Sequence, residues 1–373
     1  IDLANMLNTN NKLYNVIKNS KETNLNSSVK LGNKIVGKNN LAYIIAEAGI
    51  NHNGNLALAK KLILEAKKCG CNAIKFQSFL PNSRVSKKVK SEKYVEKIIN
   101  TEESISELFK KTSLNFKDQE TLFKYAKKIN IEIISTPFDF ESVDFLEKMK
   151  VRFYKIASMD LTNIPLIEYV ASKMKPVIIS TGMSKLYEID ETVNAFKNTG
   201  NSNLILLHCN SSYPSSSEEI NLKFMENLKK IYPIPIGYSD HSENLLSSTV
   251  ALSKGANIIE KHFTLDKKME GPDHILSSVP IEMKELVNYS KEIPKIIGDG
   301  YKKIEPNEYQ TLNSQKKSLY AKNKIKRGQL FSADNLIIKG PAGGLPPKYY
   351  NLIIGKRSNK NIDADYPIMW EDF

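Results

Sequence analysis

The chain has 373 residues, 41% of them apolar, enough for one large domain with a small companion and a well-buried core. No run reaches the roughly 18 apolar residues that a membrane helix requires, and no charged-apolar-small leader opens the sequence, so a cytoplasmic location is expected. The net charge of +13 is carried almost wholly by lysine on segments such as AKKLILEAKKCG, without interleaved aromatics, so solvated helix faces account for it and no nucleic-acid partner is expected. Cys69, Cys71 and Cys209 are odd in number and lack paired metal-ligand spacing, so neither a disulfide framework nor a zinc site is indicated; Cys69 and Cys71 read as packing residues at a helix end.

Residues 1 to 30 are polar, asparagine-rich and weakly helical, and read as an extension without an assigned function. From about residue 41, short β-branched runs alternate with longer amphipathic segments, the pattern of repeated βα units. The predicted strands are 43 to 47, 73 to 78, 131 to 136, 152 to 157, 176 to 181, 204 to 209, 233 to 238 and 256 to 261. Helical segments lie between them, with Asn55 and Asp118 as start signals and Gly255 as a stop signal. Eight such units in about 250 residues predict an α/β TIM (β/α)8 barrel spanning 31 to 298. A polar linker follows over 299 to 317. Residues 318 to 373 form a separate small module of short strands and Gly/Pro-rich turns.

All five histidines, His52, His208, His241, His262 and His274, fall at or just after a predicted strand. Taken together they predict a shared catalytic face at the strand C-termini, where a TIM barrel builds its active site. The same strand ends carry Glu47, Lys75, Gln77, Thr136, Lys155, Ser158, Asp160, Ser180, Ser239, Asp240, Glu260 and Lys261. A lysine or glutamate within a buried strand is costly unless paired or functional. Two lysines and two glutamates aimed into one barrel mouth therefore predict an anionic ligand and a cation.

The runs IIAEAGINHNG, AIKFQSF, STPFDFESVDFL, YKIASMDLTNIP, LLHCNSSYP, GYSDH and EKHFTLDKKMEGPDH, with KIKRGQLFSADNL near the C-terminus, resemble the sialic acid synthases. These belong to the nonulosonic acid synthases, which include the legionaminic and pseudaminic acid enzymes. The resemblance covers residues 30 to 373. It implies metal-dependent condensation of phosphoenolpyruvate with an N-acetylated amino sugar aldehyde and water, releasing phosphate. It also implies that the C-terminal module is antifreeze-like (SAF) and caps the partner's barrel in a domain-swapped homodimer.

Carried over residue by residue, the resemblance makes His241 and His262 the ligands of Mn²⁺ or Mg²⁺ and Glu47 the group that activates water. Lys75, Thr136, Lys155, Ser158, Ser180, Ser211 and Ser239 fall at phosphoenolpyruvate-binding positions, and Gln77, Asp160, Tyr213 and Asp273 at amino-sugar positions. The chain departs from many relatives at Asp160, where they carry Glu, and at Ser211, where they carry Asn. Gly340 replaces an arginine that grips the N-acetyl group, and Lys339 is its candidate substitute. A synthase acting on a sugar phosphate would need a second basic cluster; the four arginines, Arg84, Arg152, Arg327 and Arg357, form none along the sequence. A pseudaminic acid synthase is the other enzyme reading. Ice binding by the C-terminal module and nucleic-acid binding are the readings from other classes.

Overall fold

The computed structural model describes residues 23–80, 84–86 and 105–373, so most of the polar N-terminal stretch lies outside the described residues. The chain divides into two compact units, Ile1–Gly298 and Asp299–Phe373.

The first unit opens with an antiparallel hairpin of β1 (Ser28–Leu31) and β2 (Lys34–Gly37). Eight strands follow: β3 (Tyr43–Gly49), β4 (Ala73–Ser78), β5 (Glu132–Pro137), β6 (Tyr154–Ile156), β7 (Val177–Ser180), β8 (Leu204–Cys209), β9 (Ile236–Asp240) and β10 (Ile258–His262). They form one sheet in the order β5-β4-β3-β10-β9-β8-β7-β6, and every ladder in it is parallel. This is a nearly closed TIM-type barrel, as the repeated βα rhythm predicts. Its strand ends differ from the predicted ones by no more than a few residues.

The intervening helices form the outer layer. Asn55 caps helix α1 (Leu56–Cys69) by accepting from the backbone N–H groups of Ala57 and Leu58. After the short α2 (Ile105–Thr112), helix α3 (Phe116–Ile129) is capped by Asn115, and Asp118, read as its start signal, lies inside its first turn. The ring continues through α4 (Phe140–Lys148), α5 (Ile164–Ala171), α6 (Leu186–Asn198), the one-turn α7 (Ser217–Ile220), α8 (Leu222–Ile231), α9 (Leu246–Ser253) and α10 (Pro280–Ile297). Among the described residues no helix is long and apolar enough to cross a membrane.

Alternation along the strands sorts their side chains into two sets. Ile44, Ala46, Ile74, Ile133, Tyr154, Ile179, Leu206 and Tyr238 pack outward against helix residues such as Leu62, Leu122, Leu166 and Met225. Tyr43, Ile45, Ala73, Ile134, Phe153, Ile178, Ile205 and Ile258 point into the lumen and cluster with Val29, Leu31 and Val36 of the hairpin. The hairpin therefore plugs the N-terminal end of the barrel, and the end of the stretch read as an extension belongs to the core. The polar lumen residues occur further along the same strands, toward their C-termini.

The second unit contains helix α11 (Tyr309–Gln315), which falls in the stretch read as a linker, and an antiparallel pair, β11 (Ser318–Ala321) with β12 (Leu336–Lys339). A one-turn helix α12 (Tyr350–Ile353) completes it. Leu319, Ile325, Phe331, Leu336, Leu345 and Ile368 form a core of their own. Lys339 pairs with Asp365, so its charge is already engaged. A Cβ at Gly340 would lie 3.1 Å from the carbonyl oxygen of Ser314 and 3.3 Å from that of Gln315, so the backbone crowds any side chain here.

The hairpin plug is testable. Leu31 is fully buried, so Leu31→Ala should cost about 2 to 5 kcal/mol of stability, read as a lowered urea midpoint. A midpoint like that of wild type would show that these residues lie outside the cooperative core.

Candidate active site

At the C-terminal end of the lumen the strands enclose a cavity of about 290 Å³. Its floor is built from charged side chains that alternation turns inward. The Lys75 Nζ lies 2.7 Å from Glu47 Oε2 and 3.6 Å from Glu260 Oε1, and the Lys155 Nζ lies 3.7 Å from the same Glu260 oxygen. Glu260 therefore sits between two ammonium groups. Lys75 also donates to Thr136 Oγ1 at 3.2 Å, and Lys155 donates to Ser180 Oγ at 2.7 Å. Ser239 donates to Glu260 Oε1 at 3.2 Å, and Gln77 Nε2 donates to Glu47 Oε1 at 3.3 Å.

Burial works against every charge in this row, and the neighbours decide each outcome. Burial pushes the Glu47 carboxyl up to about 7, although Lys75 opposes it. Burial would also raise Glu260, but Lys155 and Lys75 outweigh it and hold the carboxyl below its ordinary range. Burial disfavours the Lys75 ammonium, yet Glu260 and Glu47 bring it above its usual value. At Lys155 burial dominates, and the group is held below its usual value.

Two of the five histidines face this cavity. His241 and His262 have ring centres 5.3 Å apart, and Tyr213 stacks on His241 at 4.2 Å. The His241 Nδ1 lies 2.6 Å from the Asn210 carbonyl oxygen, which leaves Nε2 for a ligand. The His262 Nδ1 has no hydrogen-bond partner and lies 3.7 Å from Asp273 Oδ2. Burial, then the positive charge of His241 and Lys75, holds His262 well below its ordinary value, so its imidazole is neutral as metal binding requires. Burial pushes Asp273 up to about 6. Burial would lower His241, but the neighbouring Cys209 outweighs it and raises the group, so two imidazoles with open positions fit a divalent ion completed by water or substrate oxygen once His241 gives up its proton. No group of three His, Cys, Asp or Glu side chains arranged to hold a metal occurs among the described residues.

The other three histidines are structural, which corrects the expectation of one shared face. His208 falls on the outward parity of β8, stacks on Tyr238 and has its Nε2 2.7 Å from the Ile220 carbonyl oxygen. His52 accepts from the Gly54 N–H, and His274 pairs with Thr264; burial lowers both to about 4. Lys261 and Asp240 also face outward, paired with each other.

The remaining predicted residues divide between the wall and the space behind it. Ser158, Ser180, Ser211, Ser239, Gln77, Tyr213 and Asp273 line the cavity with Cys209. A Cβ on Gly182 would lie 2.3 Å from Ser211 Oγ and 2.8 Å from Ser158 Oγ, so glycine there lets both hydroxyls approach. Thr136 and Asp160 are not in the wall. Thr136 supports Lys75, while Asp160 accepts from Asn163 and keeps a buried, unpartnered Oδ2.

Among the charged residues of the cavity, Glu260 and Arg84 have no site role assigned from the sequence. Glu260 was visible as a charge in a buried strand, but only the fold reveals that it bridges Lys75 and Lys155. Arg84, beyond the end of β4 at Ser78, lies over the rings of Phe109, Phe138 and Phe79 at 3.7, 4.0 and 4.4 Å. Its Nη1 donates to Gln77 Oε1 at 2.8 Å, and its Nε is buried without a partner. The surrounding wall is apolar, with Val85, Leu108, Phe109 and Phe138.

The NeuB family model matches residues 62–302, and the SAF domain model matches residues 316–373. The chain is 44% identical over 324 residues to the N,N'-diacetyllegionaminic acid synthase of Campylobacter jejuni, covering 86% of this chain and 97% of that one. It is 38% identical over 344 residues to the protein of the same name from Legionella pneumophila, covering 91% and 97%. The crystal structure of N-acetylneuraminic acid (sialic acid) synthetase from Leptospira borgpetersenii in complex with citrate aligns with a TM-score of 0.69 at 36% identity, covering 77% of this chain and 96% of that one. The match in sequence, in the order of the two domains and in the barrel itself places this chain in the NeuB family.

Proposed function

We propose that this enzyme condenses phosphoenolpyruvate with an N-acetylated amino sugar aldehyde and water, giving a nonulosonic acid of the legionaminic or sialic type and inorganic phosphate. The observation that carries the reading is the pair of buried ammonium groups, Lys75 and Lys155, in the lumen floor that also carries the two imidazoles. Charge-assisted hydrogen bonds from buried ammonium groups suit a small polyanion. Lys75, Lys155, Ser158, Ser180, Ser211 and Ser239 hold its phosphate and carboxylate. His241 and His262 hold Mn²⁺ or Mg²⁺, and the ion when bound supplies Lewis-acid polarisation of a carbonyl oxygen.

In the bond-forming step C3 of phosphoenolpyruvate attacks the aldehyde carbon, whose C=O π bond opens so that the oxygen takes up a proton and becomes a hydroxyl, and water adds at the cationic C2 that this leaves. Glu47, near neutrality, accepts a proton from that water. The C2–O bond to phosphate then breaks as the added hydroxyl gives up its proton to the leaving phosphate, which leaves a ketone at C2 and inorganic phosphate. The apolar outer wall around Arg84, with Gln77, Tyr213 and Asp273, takes the amino sugar. That wall favours a neutral acylated sugar over a sugar phosphate, because Arg84 lies beside the acidic Asp273 and Asp160. The same reading includes a homodimer in which the SAF domain of one copy caps the barrel of the other.

Replacing Lys75 or Lys155 with Met keeps the stem and removes a bond of about 1.5 to 3 kcal/mol to the anion. The KM for phosphoenolpyruvate should rise roughly ten- to a hundredfold, with a smaller change for the amino sugar. A larger change for the sugar would show that the two subsites have been exchanged.

Phosphate release assayed across pH tests Glu47. Because the carboxylate form acts as the base, kcat/KM should rise as pH passes through about 7. That limb should vanish in Glu47→Gln. An unchanged profile would remove Glu47 from proton transfer.

His241→Ala and His262→Ala should each abolish metal-dependent phosphate release and leave the circular dichroism spectrum intact. Chelation should silence the wild type. Turnover that ignores both substitutions and the chelator would reject the metal reading.

A further inference from the structure

Each imidazole in the cavity directly follows a charged residue, and those two residues pair with each other on the other face of the sheet. Asp240 precedes His241 and Lys261 precedes His262. The two are register partners across the β9–β10 ladder, and their side chains are 0% exposed. The Lys261 Nζ donates to Asp240 Oδ2 at 3.0 Å and to the Ser242 carbonyl at 2.8 Å. Asp240 Oδ2 also accepts from the hydroxyls of Ser247, at 2.8 Å, and Ser248. Its Oδ1 accepts from the Ser242 N–H at 2.8 Å and the Tyr238 hydroxyl at 3.4 Å. One carboxylate thus ties β9 to β10, to the loop that leaves His241 and to helix α9.

Neither charge reaches the cavity, so neither binds substrate. A buried ion pair is also a poor source of stability, since an apolar pair of similar volume often does as well or better. What a hydrogen-bonded pair supplies and an apolar contact lacks is direction. His262 has the greater need of it. His241 is oriented by the Asn210 carbonyl, whereas the His262 Nδ1 has no hydrogen-bond partner and only the looser neighbours Asp273, Tyr213 and His241, so more of that ring's placement falls to the backbone at positions 261 and 262.

We propose that the buried Asp240–Lys261 pair is a positioning device that fixes the separation and orientation of His241 and His262 from the opposite face of the sheet. The inference rests on the metal-dependent reading above, and its test separates the two. The full chain is compared with Asp240→Asn/Lys261→Met, which removes both charges together, with Lys261→Arg, which keeps the ion pair, and with Leu31→Ala, which weakens the barrel at its far end. Mn²⁺ affinity is read by electron paramagnetic resonance, and the histidine ring ¹⁵N signals are read by NMR in metal-free protein.

The neutral double variant should fold and lose at least tenfold in Mn²⁺ affinity, with displaced ring signals for His241 and His262 and unmoved signals for His52. Lys261→Arg should stay within about twofold of wild type, and so should Leu31→Ala despite its lower stability. Equal loss of affinity in Leu31→Ala would reduce the pair to a general stabiliser and overturn the proposal. If the double variant does not fold, Lys261→Met alone is read in the same two ways. Wild-type protein that fails to bind Mn²⁺ would reject the metal reading alone; the ring signals then decide, and signals unchanged in the charge-removing variant overturn the positioning role.

Discussion

Four ionisable side chains, Glu47, Lys75, Glu260 and Lys155, lie almost without exposure in one barrel lumen, and their mutual compensation is the condition on which the site depends. An isolated buried charge would shift its pKa and neutralise instead of persisting. Here the lysines keep the Glu260 carboxyl ionised, while Glu47, facing one lysine, is left near neutrality. The row therefore separates two carboxylates by environment: one a fixed counter-charge, the other able to exchange a proton.

That arrangement requires the lumen to be dry below and polar above, and the alternation of the strands supplies both. Tyr43, Ile45 and Glu47 occupy successive inward positions of one strand, so a single segment contributes to the apolar plug and to the reactive floor. Ile258, Glu260 and His262 repeat the pattern on its neighbour. The hairpin seals the lower end with Val29, Leu31 and Val36, which keeps the charged floor from being wetted from below. The outward positions of the same strand ends carry polar groups of their own, and the Asp240–Lys261 pair stands directly behind the two imidazoles.

Much of this was legible in the sequence. The βα rhythm predicts the barrel, Asn55 marks its first helix, and lysines and glutamates in otherwise apolar strands mark the reactive end. The five histidines were legible only as positions along strands. His208 and His241 both stand at strand ends, but Cys209 shares the inward parity of Ser239 and His241, whereas His208 takes the outward one. Applying the two-residue period to each strand end would have separated them. Asn115 is hard to distinguish as the cap from sequence because Asp118, an equally good cap type, sits three residues later.

The sequence by itself determined the elements, their order and the chemical inventory of the mouth, because periodicity and burial cost are local properties of each segment. Tertiary structure alone decided which charges meet. Glu260 lies between Lys75 and Lys155 because the barrel brings β4, β6 and β10 around one lumen, a neighbourhood with no counterpart in chain distance. Arg84 enters the cavity because three phenylalanines from separate segments stack around its guanidinium. Lys261 turns away from the cavity although both its neighbours face it, because a strand must alternate and the helix side supplied Asp240 and its hydroxyl partners to receive the charge.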